Sequence, residues 1–60
     1  MLQYKVVEVA IVAEDELERV LNDWTGQGWR FDGMQFAMRE SSKGPAMAFV
    51  LFTREEQPHA

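Results

Sequence analysis

The sequence has no cysteine and a single histidine, His59, which is next to last in the chain. Disulfides and thiolate metal sites are therefore excluded, an oxidising compartment is not required, and a conventional structural zinc site has too few ligands. No apolar run approaches the roughly 18 residues of a membrane span, and no basic segment followed by an apolar run opens the chain. Positive charge is also scarce. Six Lys and Arg against ten Asp and Glu leave a net charge of −4, the reverse of the basic footprint of nucleic-acid binders. These absences lead to the expectation of a cytoplasmic protein with no cofactor, no metal and no membrane contact, for which nucleic acid is a poor partner.

What is present is sixty residues of 47% apolar content, enough for one small domain. A domain of this size buries only about 60% of the surface its unfolded chain exposes. Below roughly 70–80 residues a single core seldom supplies more than about 3–5 kcal/mol, and a disulfide, a metal or a partner subunit often makes up the difference. With the first two excluded, association is the remaining source of stability.

Three strands and one helix are predicted. Leu2 to Val12 is rich in β-branched residues, and a strand is placed over about residues 2–10. Alternation sets Leu2, Tyr4 and Val6 on one face and Lys5, Val7 and Val9 on the other. Leu17, Val20, Leu21 and Trp24 then fall at i, i+3, i+4 and i+7, the apolar stripe of an amphipathic helix. Asp15, followed three places later by Glu18, has the form of a capping box, and Gly26 or Gly28 can close the helix in the left-handed conformation. A second strand is predicted over 29–38, with Trp29, Phe31 and Gly33 on one face and Arg30, Asp32, Met34 and Phe36 on the other. Arg39 to Pro45 is a polar connection containing Gly44. The third strand, over 46–53, is almost continuously apolar, as expected where both faces of a strand are covered.

The fold class is therefore α+β, a β-α-β-β chain forming a three-stranded antiparallel sheet with one helix packed on one face. The last two strands form a hairpin, and the first two are joined through a helix by a right-handed crossover. The order 1-3-2 makes every neighbouring pair antiparallel and puts the most apolar strand in the centre. One domain is expected over 1–55, with 56–60 a disordered tail.

One helix covers only one face. The helix stripe is placed on the face bearing Leu2, Tyr4, Val6, Trp29 and Phe31, joined by Met47, Phe49 and Leu51 or by their neighbours. The opposite face, with Val7, Val9, Met34, Phe36, Ala48 and Val50, is then left open as an apolar patch larger than a monomer usually exposes. Burial of that patch in a homo-oligomer, most simply a two-fold dimer, is the first functional expectation.

Tyr4-Lys5-Val6-Val7-Glu8-Val9, the acidic helix containing Leu17-Glu18-Arg19-Val20-Leu21-Asn22, the Gly28-Trp29-Arg30-Phe31 segment and the closing strand ending in Thr53-Arg54-Glu55 resemble the bacterial domain of unknown function 4177 family. The likeness spans about residues 2–55. It implies a short cytoplasmic prokaryotic or phage domain of β-α-β-β arrangement, and no activity. Sequences of that family usually read Leu-Asn-x-x-Gly-x-x-Gly-Trp-Glu after the helix, whereas Arg30 stands at the acidic position here.

No residues assemble a catalytic pattern. Ser41 and Ser42 lie in the polar connection with no partner histidine nearby in sequence, so no activated nucleophile is formed and no enzyme is expected. Gly26 and Gly28 follow the helix and sit at its negative end, whereas phosphate loops precede one. Trp24 and Trp29 read as core anchors. Glu14, Asp15, Glu16 and Glu18 radiate around the first helical turn, which makes them a solvated, dipole-favoured group. Lys5, Arg30, Arg39 and Lys43 are the candidate contacts for a small ligand on the open face, and Arg30, Arg39, Lys43 and Arg54, with Phe36, for single-stranded nucleic acid, where bases stack on rings and cations follow the backbone. The leading expectation is an interaction or scaffold module with an unidentified protein partner; the alternative is a binding module using the same face.

Overall fold

The computed structural model describes residues 1–38 and 45–56. Strand β1 spans Leu2–Val9, helix α1 Glu14–Thr25, β2 Arg30–Met38 and β3 Pro45–Glu55. The sheet order is β1-β3-β2, with β3 antiparallel to both neighbours. The α+β class, the β-α-β-β order and the central third strand follow the sequence reading. The connection containing Arg39 and Lys43, and the tail beyond Glu56, lie outside the described residues.

Helix α1 starts earlier than its capping-box signal. Ala13 holds the N-cap position in an extended conformation without a side-chain cap, and its carbonyl accepts the first helical bond from the Leu17 N–H at 3.0 Å. Asp15 instead turns its Oδ1 onto the N–H of Glu16 at 3.1 Å. Glu14, Asp15 and Glu16 occupy the first turn, where their charges complement the positive end of the helix dipole without a capping bond.

The helix closes at the second of the two candidate glycines. The Trp29 N–H donates to the Trp24 carbonyl and the Gly28 N–H to the Thr25 carbonyl, the paired 6→1 and 5→2 bonds of a Schellman motif. Gly28 supplies the left-handed residue that this motif needs, with φ +94°, while Gly26 stays near helical values at φ −64°. The motif draws Trp24 and Trp29 together at the end of the helix.

The helix covers the opposite sheet face from the one expected. Val9, Ala48, Val50 and Phe52 are buried with Val20 of α1, and Val7, Val12, Leu17, Leu21, Trp24, Trp29 and Met34 pack around them. Val7, Val9, Met34, Ala48 and Val50 are therefore core residues and cannot form the open interface assigned to them. Phe36 pairs with Ala48 and shares that face, though it is 50% exposed. Two local features cause the inversion. First, β2 advances two residues, from Phe31 to Gly33, while β3 advances one, from Phe52 to Leu51. This β-bulge at Asp32 reverses the alternation, so Phe31 joins Met34 and Phe36 rather than opposing them. Second, Lys5 does not mark a solvent face, because its ammonium reaches over the Trp24 ring at 4.3 Å while its stem lies on the apolar side.

Candidate interaction surface

Cross-strand register fixes which side chains share the helix-free face. Val6 lies opposite Leu51, which lies opposite Gly33; Tyr4 and Arg30 flank Thr53; Glu8 and Gln35 flank Phe49; Ala37 lies opposite Met47. Down the middle runs a ridge of Met47, Phe49 and Leu51, all half-buried against strand neighbours alone. On the β1 side stand Tyr4 and Val6, 67% and 60% exposed. On the β2 side Gly33 and Ala37 leave shallow positions on either side of Gln35, and a Cβ placed on Gly33 would meet nothing within 4 Å. The surface is thus an apolar ridge beside a shallower flank, on the order of a few hundred Å².

The sequence reading missed Tyr4, Val6, Met47, Phe49 and Leu51 as open-face residues, although it grouped the β1 and β3 members together. The signal that separates the faces is the bulge at Asp32, and Asp32-Gly33 inside an otherwise apolar run is its only trace in the sequence.

The candidate ligand contacts do not converge. Lys5 lies on the helix face, its Nζ 4.3 Å from the Trp24 centroid and 6.0 Å from that of Trp29. Arg54 stacks on Trp29 with its Cζ 4.3 Å from the ring and donates to Gln3 Oε1 at 3.1 Å. Arg30 pairs with Thr53 on the helix-free face and, with Arg54 and Glu55, borders an open hollow of about 330 Å³ at the sheet end. Glu55 is bound there by the N-terminal ammonium at 3.2 Å. Lys5 and Arg54 are thus engaged by the tryptophans on the far side of the sheet from the apolar ridge.

The strongest electrostatic feature among the described residues is on α1. Arg19 bonds Glu16 at 2.8 Å and Asp23 at 3.3 Å. The hydrogen bond from Arg19 holds the Glu16 carboxyl below its ordinary range, and Glu16 in turn raises Arg19. Both groups are solvent-exposed, so the arrangement reinforces the helix surface and prepares no acid or base. Among the described residues, no side-chain polar or charged residue is buried and no three His, Cys, Asp or Glu side chains are placed to hold a metal. None of the described helices is long and apolar enough to cross a membrane.

Comparison with known proteins finds no matching family model, no matching curated protein and no matching solved structure.

Proposed function

We propose that this protein is a homo-oligomeric interaction module whose helix-free sheet face is the assembly surface. The observation that carries the reading is the contrast between a core of five buried residues among the described residues and an uncovered apolar ridge on the reverse of the same sheet. So small a core leaves a domain of this length marginal, and a second copy covering the ridge adds buried area without any new chemistry. A two-fold contact sets one patch against its own copy, and the Met47-Phe49-Leu51 ridge, flanked by the small residues Gly33 and Ala37 on either side of Gln35, is the patch available for it. Sheets stacked in this way lie about 10 Å apart with their side chains interdigitated. The likeness to the bacterial domain of unknown function 4177 family is part of the same proposal; it agrees in element order and adds no activity.

The test is solution mass at low micromolar concentration. The wild type is expected to sediment as a dimer or larger, and Val6→Lys, which places a charge beside Leu51, is expected to sediment as a folded monomer. A wild type that is monomeric and fully folded at that concentration would sink the proposal.

A further inference from the structure

The return of α1 across the sheet leaves a groove of about 260 Å³ between the helix and the outer side of β1. One wall is a single helical stripe, Glu16, Arg19, Val20, Asp23 and Trp24, spaced i, i+3, i+4, i+7 and i+8. The floor includes Val7 and Val9, which point toward the helix. Among the described residues β1 pairs only with β3, so its outer N–H and C=O groups face the open side of this groove. β1 is only lightly guarded as a free edge: it is eight residues long, contains no proline, pairs with β3 without a bulge and carries just two charges, Lys5 and Glu8.

We propose that this groove binds an extended, basic segment of a different protein, which pairs with β1 as a fourth strand. Backbone pairing at an exposed edge supplies affinity, and alternate side chains supply specificity. On the groove side the added strand meets an apolar floor under a wall where Glu16 and Asp23 share the single guanidinium of Arg19, a net negative charge that selects lysine or arginine: the stem lies on Val7 and Val9, and the cation joins that exposed network at Asp23 or Glu16. Lys5, one strand inward, also extends toward the helix, with its ammonium over the Trp24 ring. On the other side, next to Tyr4 and Val6, apolar residues are selected. The recognised segment therefore alternates apolar and basic residues.

Charge decides against a second copy of this chain as the occupant. Helix α1 carries five carboxylates against one guanidinium, and a β1-to-β1 contact would set two such helices side by side across the symmetry axis. This edge adjoins the helix-free face at Tyr4 and Val6, but pairing along β1 requires no second copy on the apolar ridge.

The probe is a capped decapeptide alternating valine and lysine, titrated into the isotope-labelled protein while backbone amide resonances are followed. The amides of β1 are expected to shift and those of β2 to stay in place. N-methylation of the alternate peptide amides that would face β1 is expected to weaken binding by at least about tenfold, because it removes the pairing donors and keeps the charge. Asp23→Lys is expected to weaken it similarly, while Asp32→Lys, an equal change in net charge at another exposed site, is expected to leave it nearly unchanged. Equal binding of the N-methylated peptide, or an equal loss in both charge variants, would reduce the effect to general attraction and overturn the proposal. Dilution of the protein alone that moves the same β1 amides would give the edge to a second copy and overturn it as well.

Discussion

The two faces of this sheet use similar residue types for different ends. On one face Val9, Ala48, Val50 and Phe52 close against the α1 stripe, and Phe52 meets Trp24 and Phe31 with ring centroids 6.4 Å away in each case. On the other, Tyr4, Val6, Met47, Phe49 and Leu51 stand without a covering element among the described residues. Valine is fully buried at position 50 and 60% exposed at position 6. The distinction between core and surface is therefore not one of hydrophobicity; it depends on which side the helix occupies, and the bulge at Asp32 sets which β2 residues share that side.

The contrast is tested most severely by placing a charge on each face. Val50→Asp buries a carboxyl with no partner, at a cost above about 3 kcal/mol, comparable to the whole stability of so small a domain. Circular dichroism is expected to show an unfolded chain, and a folded Val50→Asp would mean that the two faces have been assigned the wrong way round. Val6→Lys, by contrast, is expected to stay folded and to change the solution mass. Smaller effects separate two glycines. Gly28→Ala forces a Cβ into the left-handed region at the end of the helix and is expected to lower the urea-derived stability by about 1–2 kcal/mol. Gly33→Ala, on the open face with nothing within 4 Å of the added carbon, is expected to raise monomer stability by about 0.4–1 kcal/mol. If the two substitutions shifted the urea midpoint alike, the distinction between a required and a merely open glycine would fail.

The smallest effect belongs to the acidic helix surface. The Glu16 carboxyl titrates below its ordinary value because Arg19 donates to the ionised form. The stabilisation that accompanies this depression is present above the ordinary carboxylate range and is lost as pH falls through the lowered folded-state value. Carboxyl chemical shifts are expected to give Glu16 a lower midpoint than an unpaired glutamate, and Arg19→Met to restore the ordinary one. No change on removing Arg19 would show the pairing to be incidental.

Much of the fold was legible in the sequence because its causes are local or topological. The stripe from Leu17 to Trp24 requires a helix, the apolar run after Pro45 requires a central strand, and a helix between β1 and β2 leaves little choice but the order 1-3-2. The identity of the covered face was not legible, because a period of two yields two sets of residues and does not say which one meets the helix. In β1 both sets are apolar, and in β2 the bulge exchanged them. The helix start was misplaced for a related reason. Asp15 and Glu18 have the spacing of a capping box, yet Ala13 extended the helix by two further residues at its start, where the added acids suit the dipole.

The position of the third strand governs the order in which the molecule can be built. Among the described residues β3 follows the other elements and is the only strand that either β1 or β2 pairs with. A ribosome that has released everything up to the end of β2 has produced one helix and two strands that cannot pair with each other. The β2–β3 hairpin then closes over a short span, whereas β1 must wait for contacts between residues as remote as Leu2 and Glu55. Loop closure makes such distant pairings slow. β1 thus remains a solitary, β-branched strand until β3 has emerged, and during that interval its edges are open to neighbouring nascent chains.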